Sequence, residues 1–191
     1  MAVSDVAIAN LALQKLGTGR IASFSEDSTA ATEINACYDH LRQLELRRHP
    51  WNFARARASL AASATTPDFD FDYAYPLPAG CLRLLPPNRN GLDWQIESHQ
   101  GQNAILTNET GPLEIVYVSD VTDPTKFDVC FDEMLACRIA DHICEKITGS
   151  TTKGEKAMED YKIARAEARR TNAFENTAGE TPEDPWLAAR R

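Results

Sequence analysis

Cysteine and histidine are the residues whose spacing would first betray chemistry. Cys130, Cys137 and Cys144 recur every seven residues, which places them on one face of a helix. Neighbours on that face stand ~10.5 Å apart at a rise of ~1.5 Å per residue, whereas a zinc–thiolate bond is about 2.3 Å. One ion cannot span that gap, so the three read as small packing residues. Cys37 and His40, at i and i+3, could bring a thiol to a base, but no third group to orient that base is evident. The four histidines (His40, His49, His99 and His142) form no HxxxH pair, and neither GxGxxG nor GxxxxGK occurs. The acid pairs Glu26-Asp27, Asp132-Glu133 and Glu159-Asp160 are adjacent in sequence. Adjacent residues on a helix point in different directions, so these pairs read as surface charge and not as a dyad facing one sugar. No catalytic group, metal or cofactor is expected.

Charge narrows the partners. With 28 acidic and 20 basic residues in 191, the formal net charge is -8. That balance favours solubility and argues against gripping nucleic acid by neutralising phosphates. One stretch departs from it: Arg42, Arg47, Arg48, Arg55 and Arg57 crowd around His49 and Pro50, opposed only by Glu45. This reads as a solvated or interface-facing basic patch. Five cysteines with no CxxC pair speak for reduced thiols over a disulfide framework. The first residues carry no basic flank, and Ser4, Asp5, Asn10, Gln14 and Lys15 interrupt their apolar run. No signal peptide or membrane span is expected, and synthesis in a cytoplasm is.

The positions above must be held by a small set of elements. A first helix is expected from Ser4 to Leu16, with Ile8, Leu11, Ala12 and Leu16 as its apolar stripe and Gly17 and Gly19 as its stop. A second runs from Asp27 or Ser28 to Arg48 on Ile34, Cys37, Tyr38, Leu41 and Leu44, ended by Pro50. These two are expected to pack antiparallel. Residues 51–60 read as strand, 63–72 as loop. Short strands follow at Tyr73–Leu77, Cys81–Leu85, Trp94–Ser98, Ala104–Thr107 and Leu113–Ser119, with Asn90-Gly91 as a tight hairpin turn and further turns at Gln100-Gly101 and Thr110-Gly111-Pro112. Asp128 is a candidate cap for a long central helix carrying Phe131, Leu135, Ile139, Ile143 and Ile147. Thr152 and Glu155 have capping-box spacing for a fourth helix, with Ala157, Tyr161, Ala164 and Ala168 as its stripe.

The expected fold is therefore α+β, mainly α: a four-helix antiparallel bundle formed by residues 1–50 and 120–176, with a small antiparallel β-rich insertion at 51–119. The last stretch, 177–191, has two prolines and no periodicity, so an extended tail is expected there. It nevertheless carries Trp186 and Leu187 beside Arg190 and Arg191. A tryptophan in such a segment has nothing of its own to pack against. A docking peptide is the sharper reading, and a merely solvated tail the plainer one.

In order along nearly the whole chain, these features resemble the head-to-tail adaptor, or tail tubular protein A, family of short-tailed bacteriophages and prophages. The resemblance is carried by AIANLALQKLG followed by RIASFSEDSTAA, then by RRHPWNFARARASL, YAYPLPAGCLRLL, LEIVYVSDVTDPTKFDVCFDEMLACRIADHICEKITGS and the closing EDPWLAAR. Its most specific pieces are Trp51-Asn52-Phe53-Ala54, Tyr75-Pro76-Leu77-Pro78 leading to Cys81-Leu82-Arg83, and the Tyr117 to Phe131 segment. The resemblance implies a structural virion protein with no enzymatic activity. In that family twelve copies form a ring at the head–tail junction, beneath the portal protein. The ring extends the DNA channel, without binding DNA specifically, and offers a platform for the tail nozzle. The C-terminal tail reaches the portal. On this reading the portal or subunit interface takes in Trp186, Leu187, Arg190 and Arg191, together with Arg47, Arg48, Arg55 and Arg57. Two competing expectations remain. One is a peptidoglycan hydrolase acting in phage entry, for which Glu26, Glu33 or Glu133 would be the first acids to test. The other is a helical interaction module unconnected with virions.

Overall fold

Four short polar side chains start the four helices. In the computed structural model, which describes residues 4–86 and 92–175, Ser4 accepts from the Ala7 amide to open α1 (Asp5–Leu16), and Ser28 accepts from Ala31 to open α2 (Thr29–Arg48). Asp128 accepts from Cys130 at the start of α3 (Val129–Thr148), and Ser150 from Lys153 at the start of α4 (Thr151–Phe174). Each such cap is worth about 0.5–2 kcal/mol. The expected Thr152–Glu155 box does not form, because Ser150 takes the cap and starts α4 at Thr151, with only Gly149 and Ser150 between it and the end of α3. Gly17 and Gly149 close α1 and α3 in the left-handed region, at φ 68° and 61°, where a Cβ is disfavoured. His49 ends α2 in extended geometry, as the ring of Pro50 requires.

The helices gather on α3, which packs against α1, α2 and α4. Phe131, Met134, Leu135, Ile139 and Ile143 on α3 are buried, with Ala136, Cys137, Ala140 and Cys144 filling the narrow spaces between helices. Cys137 and Cys144 therefore serve as packing residues, and Cys130 is half-buried. The expected antiparallel pairing of α1 with α2 does not form: each lies against α3, and they meet through the Tyr38 hydroxyl, which donates to Asp5 at 2.6 Å, while Phe24 of the connecting loop packs on the Tyr38 ring. Two stripes also differ from expectation. On α1 Leu11 is 40% exposed and Leu13 is buried in its place. On α2 Leu44 is half-buried, and the buried face turns instead through Arg42, Glu45 and Leu46.

Among the described residues, six strands lie between α2 and α3. Residues 51–60 begin with a 3₁₀ turn at Asn52–Ala54 before β1 (Arg55–Leu60), so only their second half is strand. β2 (Tyr73–Pro76), β3 (Cys81–Leu84), β4 (Trp94–His99), β5 (Gln102–Thr107) and β6 (Leu113–Ser119) follow. They make two antiparallel three-stranded sheets, ordered β1-β6-β3 and β2-β5-β4, where one sheet was expected. Because β3 and β4 fall in different sheets, no hairpin joins them; the Asn90-Gly91 turn expected there lies outside the described residues. The hairpin that does form is β4–β5, where Gln100 and Gly101 both take positive φ, 51° and 78°, as a tight type I′ connection needs. The sheets share a small core of Tyr75, Ile105, Leu84, Leu113 and Ile115.

The helical core extends into the first sheet. Trp51, Ala54 and Val118 are buried together with the helical residues, and Trp51, Phe53 and Phe127 surround Phe131 with ring centroids 5.0–5.2 Å from it. Replacing Ile139, fully buried on α3, with Asp places an unpaired charge in this core. That costs several kcal/mol, comparable with the whole stability of a domain. Ile139→Asp is expected to lose cooperative thermal unfolding by circular dichroism; a native melting curve would refute the core assignment.

Candidate functional site

The site is a basic corner, built by the end of α2, one side of the β1-β6-β3 sheet and the end of α4. Its foundation is Glu45 on α2, whose side chain is 1% exposed. Tyr161 of α4 donates to the Glu45 carboxylate at 2.8 Å, Arg48 donates to the same oxygen at 2.7 Å, and Arg138 of α3 stands 3.9 Å away. The guanidinium groups of Arg138 and Arg165 lie over the Tyr161 ring. The Glu45 backbone carbonyl accepts the Trp51 indole N–H at 3.0 Å. One residue thus ties α2 to α4, to α3 and to the chain entering β1. One turn earlier, Arg42, 2% exposed, pairs with Asp120 directly after β6 and donates to the Val121 carbonyl at 2.7 Å. This anchors the exit of the sheet to α2.

The basic stretch of the sequence consequently divides. Arg42 is no part of a surface patch, because it is buried and paired with Asp120. Arg48 is half-exposed and occupied by Glu45 and by Tyr161, whose hydroxyl it reaches at 3.1 Å. Arg47, Arg55 and Arg57 are exposed, and Arg47 donates to the Leu82 carbonyl of β3. Strand alternation puts Arg55 and Arg57 on one side of β1, opposite Val118 and Val116 of β6. Across the sheet, Arg83 of β3 is also in register with Val118, so it projects from the same side; its guanidinium reaches the Arg47 carbonyl at 3.5 Å. Arg83 did not stand out in the sequence, because only the pairing of β3 with β6 brings it beside Arg55. Glu45 was missed for a different reason. It continues the stripe of Tyr38 and Leu41 at helical spacing, a signal set aside in favour of the apolar Leu44.

No salt bridge engages Arg47, Arg55, Arg57 or Arg83 among the described residues. Asn52, Arg55, Arg57, Val116 and Glu175 line an open cavity of about 380 Å³. His49 packs edge-on against Trp51 and meets Asn172 of α4 at 3.1 Å. Burial, then the charges of Arg169 and Arg83, hold the imidazole below its usual pKa, so it is neutral at pH 7 and adds no charge. The corner is chemically suited to hold carboxylates or other anions by exposed guanidinium groups. Trp186, Leu187, Arg190 and Arg191 lie outside the described residues, so the structure does not place them.

The other chemical candidates are dispersed. The Cys37 thiol donates to the Ile34 carbonyl, and burial pushes its pKa up, while His40 is exposed. Glu26 accepts from the Ala22 amide, Glu33 pairs with Lys146 and Glu133 with Lys15. Among the described residues no three metal-ligating side chains come together, and no helix is long and apolar enough to cross a membrane. The sequence matches no model of a known protein family and no curated protein.

Two predictions follow from the buried charges. Glu45→Ala leaves Arg48 and the Tyr161 hydroxyl without their shared acceptor, a loss of roughly 3 kcal/mol, the low end for a broken buried pair because Arg48 is 38% exposed and regains water, while Tyr161→Phe removes a single bond and costs about 1–3 kcal/mol. Chemical denaturation would measure both, and an alanine variant as stable as wild type would show that Glu45 supports nothing. Asp132 on α3 is 6% exposed, with its Oδ1 atom unbonded. Burial, then the charge of Asp128, raises its pKa to about 7 from 3.8. Between those values the folded state holds a proton the unfolded state has lost, so stability falls as pH rises through this window, by up to about 1.4 kcal/mol per pH unit. Asp132→Asn is expected to remove this fall and to melt higher than wild type at pH 8. An unchanged pH profile of melting temperature would refute it.

Proposed function

We propose that the chain is a structural head-to-tail adaptor of a short-tailed phage or prophage. In this reading it assembles as a ring of about twelve copies beneath a portal protein, extends the DNA channel and provides the platform for a tail nozzle or tube protein. The observation that carries it is the layout: a helical body centred on α3, interrupted between α2 and α3 by the paired sheets. That order is the one the resemblance implies. The gathering of α1, α2 and α4 on α3 supports a helical body organised around one central helix. Small residues such as Ala140 and Ala168 at the helix faces support close helix packing.

The charge balance supports a passage function. A net charge of -8 disfavours tight non-specific binding of DNA, which suits a channel through which the genome slides during ejection. Most polar side chains with catalytic potential are engaged in holding elements together, as Glu45 and Arg42 are, which favours an assembly role over hydrolysis. Trp186 and Leu187, with Arg190 and Arg191, are assigned to the portal contact, where aromatic and arginine anchors carry much of an interface. The virion, at the junction of head and tail, is the corresponding location.

Mixing the purified chain with its portal is the test. Electron microscopy is expected to show an added ring on the portal, and a chain lacking residues 180–191 is expected to remain folded but to bind no portal. Wild-type portal affinity in the truncated form would remove the tail from the interface. Indifference of the full chain to the portal, or release of peptidoglycan fragments by it, would overturn the adaptor reading.

A further inference from the structure

We propose that the acidic segment Glu180-Thr181-Pro182-Glu183-Asp184 of the same chain docks in the arginine corner formed by Arg47, Arg55, Arg57 and Arg83. Glu175, where the described chain ends, itself lines the cavity with Arg55 and Arg57 and is fixed there by the Asn52 side chain, which donates to it at 3.2 Å. The end of α4, to which residues 176–191 are joined, is therefore at the corner. Their charges are ordered: Glu180, Glu183 and Asp184 come first, and Arg190 and Arg191 last. The acids nearest the exit carry the charge opposite to these exposed guanidinium groups, which have no salt-bridge partner among the described residues.

Reach and stiffness both suit this occupant. Glu180 is five residues beyond Glu175 and Asp184 nine, which at ~3.3–3.6 Å per extended residue allows ~17 Å and ~30 Å. From β1 across β6 to β3 is two strand spacings, ~10 Å, so the segment can cross from Arg57 to Arg83. Pro182 and Pro185 flank Glu183 and Asp184, and fixed φ angles reduce the entropy lost on docking. A short tether also keeps the acids at an effective concentration of about millimolar. The net charge of -8 works against nucleic acid as the occupant. The inference does not need the adaptor reading, and each can fail alone.

The test is backbone ¹⁵N relaxation on the full chain. At low salt, residues 180–184 are expected to approach the order parameter of ~0.85 typical of rigid backbone, and to fall below ~0.6 in Arg55→Glu/Arg57→Glu. The same fall is expected in wild type at high salt, where screening weakens contacts between exposed charges; this arm needs no variant to fold. Adding Glu183→Arg/Asp184→Arg to the double variant should restore order, and failure to do so would refute the charge pairing. Order unchanged on tenfold dilution is expected, whereas its loss would make a second copy the occupant and overturn the proposal. So would residues 180–184 that are equally mobile in wild type and variant, or arginine side-chain signals that shift with a short DNA duplex but not with salt.

Discussion

A carboxylate removed from water loses several kcal/mol of hydration and can remain charged only where donors replace it. The Glu45 side chain is in that position, and its donors come from separate parts of the chain: Arg48 one turn on along α2, Tyr161 of α4, with Arg138 of α3 close by. Satisfying it restricts how α2, α3 and α4 meet to arrangements that bring these groups to one point. The adjacent carbonyl then holds Trp51, so the constraint passes into the chain entering β1. All three walls of the basic corner depend on this centre, because the end of α2, the start of the first sheet and the body of α4 meet at it.

Burial by itself would not orient these elements so closely. Apolar side chains on α3 are non-directional, and the alanines and cysteines among them allow close approach at several registers. Directional bonds at Glu45, at Arg42 with Asp120, and between Asn52 and Asn172 select one. The arginines left outside this network then share a small area of surface. A chain of net charge -8 thus carries a concentrated basic corner, a surface that complementary charge would recognise. That contrast, more than any single side chain, is compatible with the proposed assembly role.

The sequence was most legible where local physics decides. Ser4, Ser28 and Asp128 mark helix starts, because the orphan amides of a first turn need an acceptor within three residues. Pro50 marks the end of α2 and the four-residue repeat of α3 its central place, while five of the six strands fall within a residue or two of their expected bounds and β1 starts four residues later than expected, after a 3₁₀ turn. Legibility failed where two local solutions competed. Ser150 displaced Thr152 as a cap, and Leu13 displaced Leu11 in the core, since each pair lies two residues apart and only packing selects between them.

Helix positions and most strand positions were determined by the sequence alone, because caps, breakers and periodicity act within a few residues. Tertiary structure alone decided that the strands form two sheets, that Arg42 is buried while Arg55 and Arg57 remain exposed, and that Arg83 stands beside them. Those outcomes turn on strand register and on charge pairs such as Arg42 with Asp120, separated by 78 residues in sequence. No periodicity encodes a partner at that distance; only the folded chain brings the two charges together.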